Sequence, residues 1–159
     1  MNTLAIMNHS LSFQERKEVM RHLSKVKQKY PLLQHNLYEV EKKREENQFI
    51  TIYTIVLNPE SEIYKVHFPE QPLTPGSCLV EIAKELIEDD FGKTLNLKMI
   101  VDLNYFNPIN PNEFQSIDFI IEKIEKELKI SELDVIIRVK KEKEQFALMQ
   151  LSFDKSFND

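Results

Sequence analysis

Glycine is scarce in this sequence: only two of its 159 residues, Gly76 and Gly92, are glycines. The phosphate-binding loops of nucleotide-binding proteins need several glycines close together, because their backbone must approach the phosphate groups. Such a loop cannot be built from this sequence, which excludes most kinase, NTPase and dinucleotide-binding functions. Each glycine is also informative, since glycine is favoured where the backbone takes unusual dihedral angles or lies very close to another group.

Cysteine pairs, a basic excess and long apolar runs are also missing. Cys78 is the single cysteine, so it has no disulfide partner in the chain, and the first residues lack the pattern of a secretory signal peptide. Lys and Arg number 21 against 26 Asp and Glu, a net charge of −5 that gives no electrostatic footprint for nucleic acid. No apolar run approaches the roughly 18 residues of a membrane span. We therefore expect a soluble cytoplasmic protein that binds no nucleic acid and crosses no membrane.

Apolar residues are plentiful enough for one buried core. They make up 42% of the 159 residues, so we expect a single domain over residues 1–159. None of the histidines His9, His22 and His35 belongs to a ligand set with metal-site spacing, which favours a surface or hydrogen-bonded role for each. No metal ion and no cofactor is predicted.

Two segments have the apolar spacing of helices. Residues 13–30 place apolar side chains on one face, and Ser12 with Glu15 has the spacing of a capping box at the helix start. Residues 76–91 repeat apolar side chains at helical spacing around more than half of the circumference, and Gly92 stands where a C-terminal cap belongs. The sequence therefore predicts an N-terminal helix and a second helix that the rest of the protein encloses.

The other patterned segments are rich in β-branched and aromatic residues, which favours strands. They are residues 37–40, 49–57, 95–106, 116–126, 133–140 and 145–153. Within residues 117–128 the apolar positions also fit a helical period, and the local pattern alone does not decide between helix and strand. The polar residues 42–47 separate the first two strands, and the charged residues 140–144 predict a solvated hairpin connection between the last two.

A proline-rich loop over residues 68–75 joins a histidine to the enclosed helix. His67 stands at the start of the loop and Glu81 in the first turns of the helix, so an imidazole and a carboxyl group can converge. Gly76 opens the helix, where unpaired backbone N–H groups and the positive end of the helix dipole favour a developing negative charge. A base, an acid and an oxyanion site suit proton abstraction next to a thioester carbonyl, followed by loss of a hydroxyl group.

These residues resemble the signature of the 3-hydroxyacyl-acyl carrier protein dehydratases of the hotdog fold, such as hydroxymyristoyl-acyl carrier protein dehydratase. That signature is His-Phe-Pro, a later Pro, Pro-Gly, and then Glu or Asp. The sequence has His67-Phe68-Pro69, Pro72, Pro75-Gly76 and Glu81, with the acid 14 positions after the histidine. Residues 104–111 are similar to the family's later strand, which ends in Phe before a proline turn, and the resemblance covers about residues 37–153.

The resemblance implies an α+β hotdog fold, in which an antiparallel sheet wraps around the long central helix. Residues 1–35 would form a helical extension and residues 37–153 the hotdog core. The resemblance also implies a homodimer, or a larger oligomer of dimers, in which each site takes His67 from one subunit and Glu81 from the other. His67 would remove the α-proton, Glu81 would protonate the departing hydroxyl group, and the Gly76 N–H would polarise the thioester oxygen.

The implied substrate is a 3-hydroxyacyl chain carried by acyl carrier protein, and the implied product is a trans-2-enoyl thioester. The residues expected to contact this substrate are Phe68, Pro75, Ser77, Tyr105 and Phe106. The last two also fit core positions of a strand. The resemblance favours the strand within residues 117–128. The acyl chain length stays open, as does the pathway among membrane lipid, lipopolysaccharide and polyene pigment synthesis.

Departures from the family pattern leave alternatives. Val66 and Glu70 replace glycines of the family, and Glu85 adds a like charge one turn from Glu81, which would favour a protonated acid if both were buried. A hotdog thioesterase, whose helix carboxyl group directs water, is the first alternative, and a non-catalytic carrier-binding module is the second. An acidic carrier would require a local basic patch, for which the candidates near the motif are Lys65, Lys84, Lys93 and Lys98.

Overall fold

The computed structural model describes residues 9–29, 31–66, 70–124 and 131–155. The elements within them are β1 (His9–Ser10), α1 (Phe13–Lys29), β2 (Tyr38–Glu45), β3 (Ile50–Leu57), α2 (Glu62–Val66), α3 (Gly76–Phe91), β4 (Asn96–Tyr105), β5 (Ser116–Ile124), β6 (Glu132–Lys141) and β7 (Glu144–Asp154). The strands form one antiparallel sheet in the order β1-β4-β7-β6-β5-β3-β2. None of the described helices is long and apolar enough to cross a membrane.

The helix α1 begins at the capping box that the sequence predicted. The Ser12 N–H donates to Glu15 Oε1 at 2.9 Å, and the Glu15 N–H donates to Ser12 Oγ at 3.1 Å, so two donors at the helix start are satisfied. Leu23, on the inner face of the helix, is buried. The predicted helix over residues 13–30 is confirmed except at its last residue, Tyr30, which lies outside the described residues.

The helix α3 has the bounds that the sequence predicted. Gly92 ends it in the left-handed conformation, with φ at 75°, and the Gly92 N–H donates to the carbonyl oxygens of Glu88 and Asp89. A residue with a side chain would be strained at this φ, which explains the glycine. Every residue from 76 to 87 is buried, so the helix is enclosed, as its apolar pattern indicated.

The sheet and α3 share one core. Along β3, buried and half-buried residues alternate, and the buried set includes Tyr53, Ile55 and Leu57. These side chains belong to the same cluster of buried residues as the apolar side chains of α3. The architecture is therefore the α+β arrangement that the resemblance implied, with an antiparallel sheet around one long helix.

The strand β5 settles the segment whose local pattern was ambiguous. It is hydrogen-bonded to β3 on one side and to β6 on the other, and it buries Ile117, Phe119 and Ile121. These pairings join residues far apart in the sequence and override the local helical period. The strand prediction is confirmed through Ile124, and residues 125–128 lie outside the described part of the chain.

The sequence prediction was wrong at the end of β2 and missed two short elements, β1 and α2. The first strand was expected to end at residue 40, whereas β2 continues to Glu45 through most of the polar segment. It is the edge strand of the sheet and pairs along its length with β3, so its polar side chains can point into solvent. The short helix α2 was not predicted; it follows Ser61, whose Oγ accepts the Ile63 N–H at 3.3 Å.

The segment before β2 belongs to the same core and lies beside α3. Leu11, Leu23, Leu33 and Leu37 are buried within the core cluster. The helix α1 packs on α3 and β4, where Arg16 Nε donates to the carbonyl oxygen of Ile100 at 3.1 Å. This packing brings the side chains of α1 to the first turns of α3.

Candidate active site

The last residues of the proline-rich loop are fixed before they enter α3. The Thr74 N–H donates to the Ile109 carbonyl oxygen at 2.9 Å, and the Thr74 hydroxyl lies 2.8 Å from that of Tyr64. Pro75 directly precedes the helix, is buried, and has φ −59° and ψ 140°. Its ring fixes φ, so it limits the directions from which the chain can enter the helix. The start of α3 is therefore held against α2 and the segment after β4.

The start of α3 leaves backbone donors without a side-chain partner. No side chain of the described residues caps it, and its first turn contains no acidic residue. The first N–H groups of a helix have no partner within the helix, and the helix dipole adds partial positive charge there. Gly76 and Ser77 are buried at this position. This environment suits an oxygen that carries negative charge.

Gly76 is required by its contact with Tyr105. A β-carbon on Gly76 would lie 2.3 Å from Tyr105 Cζ and 2.4 Å from the Tyr105 hydroxyl oxygen, which is too close for any side chain. Tyr105 is buried, and its hydroxyl group has no hydrogen-bond partner among the described residues. The predicted contact residue Tyr105 therefore lies directly against the start of α3.

The other predicted contact residues are placed differently. Pro75 and Ser77 are at the start of α3, and Ser77 Oγ lies 2.8 Å from His22 Nδ1 of α1. Phe106 follows β4 and is half-buried, and its N–H donates to the Phe146 carbonyl oxygen at 2.9 Å.

Glu81 is a buried carboxyl group in the second turn of α3, with 2% of its surface exposed. Burial has the largest effect on its pKa and raises it, while the cations of Lys84 and Lys27 oppose the rise. The neighbouring Glu85 and Glu88 add to the rise, and the resulting pKa is about 7. At neutral pH such a group exists in both its protonated and its ionised form, which suits an acid catalyst.

Two lysines lie close to Glu81. Lys27 comes from α1, and its Nζ is 3.6 Å from Glu81 Oε1. The Lys27 side chain is 39% exposed, so this ion pair reaches from the buried carboxyl group to solvent. Lys84 is buried on α3 with its Nζ 3.9 Å from Glu88 Oε1, and burial together with the Lys27 side chain lowers the pKa of Lys84. Lys27 is thus the cation that joins α1 to Glu81.

Glu85 lies one turn after Glu81 and is also buried. The Leu33 N–H donates to Glu85 Oε2 at 2.8 Å. The Gln34 N–H and the Tyr38 hydroxyl group donate to Oε1 at 3.0 Å and 2.9 Å. Glu85 therefore anchors the segment between α1 and β2 and does not point into solvent.

The predicted basic patch is wrong at Lys84, because only 8% of this residue is exposed. Lys98 is exposed, but its ammonium group pairs with Glu132. Lys65 is exposed on α2, and Lys93 is half-buried beyond the C-terminal end of α3. The sequence neighbourhood of the motif therefore does not provide the continuous basic surface that was expected.

The environment of Cys78 does not suit a nucleophile. Cys78 is buried, and burial raises its pKa to about 12, so the thiol stays protonated at neutral pH. Among the described residues, no group of three or more His, Cys, Asp and Glu side chains could hold a metal ion.

The predicted base, His67, lies outside the described residues, as does the predicted contact residue Phe68. The structure describes the chain up to Val66 and again from Glu70. The roles of His67 and Phe68 therefore stay predictions from the sequence.

Sequence reasoning missed two residues of α1 that contact the start of α3. His22 Nδ1 is 2.8 Å from Ser77 Oγ, and Lys27 Nζ is 3.6 Å from Glu81 Oε1. For His22 the sequence contains a weak signal of this contact: it is three residues after Val19 and four before Val26, so it stands at the border of the apolar face. The sequence could not indicate that this face would pack on α3.

Comparison with known families gives the class of the protein. Residues 41–150 match the ApeI-like family, which is described as ApeI dehydratase, and the match covers more than half of the chain. The chain belongs to the ApeI-like dehydratase family. The match supports the predicted hotdog dehydratase and replaces the narrower family that the motif suggested. Because α1 precedes the matched residues, Lys27 and His22 lie outside them.

Solved structures agree on the fold. The ApeI:P dehydratase heterocomplex from Xenorhabdus doucetiae has a TM-score of 0.55 at 15% identity, over 72% of this chain and 96% of that chain. A thioesterase from Haemophilus influenzae has a TM-score of 0.51 at 14% identity, over 94% of this chain and 93% of that chain. At such identities the likeness shows the hotdog fold alone. None of the curated proteins matches this sequence.

Proposed function

We propose that this protein removes water from a 3-hydroxyacyl thioester and forms a trans-2-enoyl thioester, with Glu81 as the acid. One observation carries the proposal: Glu81 is buried on the enclosed helix with a pKa of about 7, in a chain of a dehydratase family. A carboxyl group that is both shielded from water and able to hold a proton is suited to protonate a poor leaving group.

In the proposed reaction, His67 removes a proton from the carbon next to the thioester carbonyl, and the electron pair of that C–H bond forms the new double bond. The C–O bond to the 3-hydroxyl group breaks, and the Glu81 proton converts the leaving group to water. The N–H groups at Gly76 stabilise the negative charge that develops on the thioester oxygen. Proton transfer from His67 to Glu81 through water restores both groups.

A two-substrate assay tests the reaction class. The protein is incubated separately with a 3-hydroxyacyl thioester and with a saturated acyl thioester, while enoyl absorbance and free thiol are followed. Enoyl absorbance without thiol is the expected result, and it should be absent in Glu81→Gln. Thiol release would instead indicate a thioesterase, and no reaction with either substrate would favour the non-catalytic carrier-binding module.

We propose further that the working unit is a homodimer in which His67 of one subunit meets Glu81 of the other. Part of the sheet edge is compatible with such pairing. Within the described residues, β4 has a strand neighbour on its outer side only at Asn104 and Tyr105. The Leu11 N–H and Arg16 Nε donate to the carbonyl oxygens of Leu103 and Ile100, so only the start of β4, before Ile100, is available for a second chain. Met99, on the remaining part of β4, is 46% exposed. An open strand edge with an exposed apolar side chain favours pairing with a second chain.

Mixing two inactive variants tests this shared site. His67→Ala and Glu81→Gln chains are combined under conditions that allow subunit exchange, which gives about half of the dimers as heterodimers with one intact site each. Activity should then return to about one quarter of the wild-type level. If verified exchange restores no activity, both residues act within one chain or the assignment is wrong.

The substrate carrier is proposed to be an acidic acyl carrier protein, and α1 offers the basic surface. It holds six of the 21 Lys and Arg residues of the chain but only two of the 26 Asp and Glu residues. Lys17, Arg21 and Lys25 recur every four residues and are exposed, although Arg21 also pairs with Glu18. The opposite face of the same helix contacts the start of α3.

Charge reversal on α1 tests the carrier. A triple variant with Lys17, Arg21 and Lys25 each replaced by Glu should raise KM for a carrier-bound substrate and leave KM for a small pantetheine thioester unchanged. Lys143→Glu, on the exposed hairpin between β6 and β7, is the matched control. Equal effects on both substrates, or none on either, would remove α1 as the carrier surface.

A thioesterase remains the second candidate because of one contact. The 2.8 Å distance between His22 Nδ1 and Ser77 Oγ would allow the imidazole to activate the hydroxyl group beside the uncapped start of α3. Loss of thiol release in both Ser77→Ala and His22→Ala, with dehydration absent throughout, would favour this candidate. If dehydration survives both substitutions, the contact between His22 and Ser77 serves only to hold α1 in place.

A further inference from the structure

The hydroxyl group of Tyr105 is an exception among the buried tyrosines of the described residues. Tyr38 donates to Glu85 at 2.9 Å, Tyr53 donates to Asp89 at 2.6 Å, and Tyr64 shares a hydrogen bond with Thr74. Only the Tyr105 hydroxyl group is buried there without a partner. Since a phenylalanine would fill the same space, a hydroxyl group that bonds to nothing in the fold needs another explanation.

The position of this hydroxyl group suggests the explanation. It lies 2.4 Å from the place that a β-carbon on Gly76 would occupy, and therefore beside the first residue of α3. The same helix end has no side-chain cap in the described part of the chain and no acidic residue in its first turn. A phenol O–H and the free N–H groups of the helix start are all donors in one place, so a single acceptor bound there can accept from both.

We propose that the Tyr105 hydroxyl group donates a hydrogen bond to the thioester carbonyl oxygen of the substrate, together with the backbone N–H groups at the start of α3. This inference rests on the proposed dehydration. The phenol transfers no proton and stabilises charge as it develops on that oxygen. The pKa of Tyr105 is raised by burial, so the hydroxyl group keeps its proton over the working pH range.

The assignment also gives Gly76 a second purpose. Its missing side chain leaves room for the phenol ring at the helix start, where any larger residue would displace the ring. Gly76 thus leaves room for the Tyr105 hydroxyl group as a second donor, and it also leaves its own N–H group accessible. Tyr105 becomes a catalytic residue in this scheme, which goes beyond the substrate contact predicted from the sequence.

The test is Tyr105→Phe, compared with Tyr53→Phe as the matched control. Tyr105→Phe should lower kcat by about 10²-fold, the effect of losing one oxyanion donor, and leave Tm unchanged or higher. Tyr53→Phe, which removes a donor to Asp89 at the other end of α3, should lower Tm and leave kcat unchanged. If Tyr105→Phe lowers Tm as the control does, the hydroxyl group serves the fold and the inference is wrong.

Two further measurements separate this inference from the proposed function. If Tyr105→Phe keeps the wild-type kcat while Glu81→Gln is inactive, dehydration stands and the Tyr105 assignment falls. A 3-hydroxyacyl pantetheine amide, in which nitrogen replaces the thioester sulfur, should raise the Tm of the wild type more than that of Tyr105→Phe. Equal Tm shifts would mean that the hydroxyl group does not contact the carbonyl oxygen.

Discussion

The regions around Glu81 and Glu85 show how two carboxyl groups, one turn apart on the same helix, serve different purposes. Both are buried. Glu85 accepts hydrogen bonds from Leu33, Gln34 and Tyr38, which together occupy both of its oxygens. Glu81 instead has a single cation of α1 at 3.6 Å, and its pKa is raised to about 7.

The difference shows which of the two carboxyl groups is available to donate a proton. A buried carboxylate that accepts several hydrogen bonds is stabilised as an anion and holds other segments in place. A buried carboxyl group without such donors keeps its proton until higher pH, and it can give that proton to a substrate. Glu85 therefore fastens the N-terminal segment, whereas Glu81 is the carboxyl group that the proposed reaction uses.

Replacing each carboxyl group by an amide is the most direct test of the different roles of Glu81 and Glu85. Glu81→Gln should lower turnover by about 10²–10⁴-fold, because an amide cannot supply the proton. Glu85→Gln should leave turnover in place but lower the free energy of unfolding by about 1–3 kcal/mol, because an amide N–H₂ group would face a donor. Enzyme assays measure the turnover of both variants, and urea unfolding measures their free energies of unfolding. Equal activity loss in the two would contradict the division of roles.

Gly76→Ala tests the helix start beside Glu81. The new methyl group would overlap the Tyr105 ring and displace it, so turnover should fall by about 10²–10³-fold if an oxyanion contact is lost. Gly92→Ala is the matched control at the other end of α3, where a β-carbon meets nothing within 4 Å but φ is 75°. That variant should lose about 1 kcal/mol of stability and no activity. Wild-type turnover in Gly76→Ala would place the oxyanion donors elsewhere.

The raised pKa of Glu81 should also make stability depend on pH. The carboxyl group titrates near 7 in the folded chain and near 4.5 when unperturbed, so the folded state holds an additional proton between these values. Its contribution to stability is complete below about pH 4.5 and is lost as pH rises to about 7, by no more than about 3 kcal/mol. Urea unfolding at stepped pH should show this decline in the wild type and in Glu85→Gln, but not in Glu81→Gln. A decline that survives Glu81→Gln would have another origin.

Removal of the cation beside Glu81 should have the smallest effect. The Lys27 ammonium group lowers the pKa of Glu81, so Lys27→Met should raise this pKa and move the alkaline limb of the kcat profile to higher pH. Lys27→Arg should keep the wild-type profile, as should Lys25→Met, which removes an exposed lysine of the same helix. A small pantetheine thioester as substrate avoids any effect on carrier binding. An unshifted limb in Lys27→Met would mean that the ion pair is absent from the working enzyme.

The bounds of α3 could be predicted because local signals mark both ends. Pro75 and Gly76 mark the start of the helix, and Gly92, which takes the left-handed conformation, follows its end. The capping box of α1 is equally local. The strand β5 needed the family resemblance, because its partners lie far away in the sequence. The polar half of β2 was missed since an edge strand needs no apolar outer face.

The candidate site could be predicted only in part for the same reason. The motif predicted Glu81 as the acid, but the difference between Glu81 and Glu85 depends on where residues 33–38 run after α1. The contact between Gly76 and Tyr105 joins a helix start to the end of a later strand. No spacing rule along the sequence connects such positions.

The packing of α1 and residues 33–37 has a practical consequence for expression. The family match begins at residue 41, yet the preceding segment fills part of the core with Leu11, Leu23, Leu33 and Leu37. A fragment trimmed to the matched residues would expose the apolar side chains beneath this segment and leave Glu85 without its hydrogen-bond donors. We expect such a fragment to collect in inclusion bodies, so the shortest useful expression fragment begins before β1.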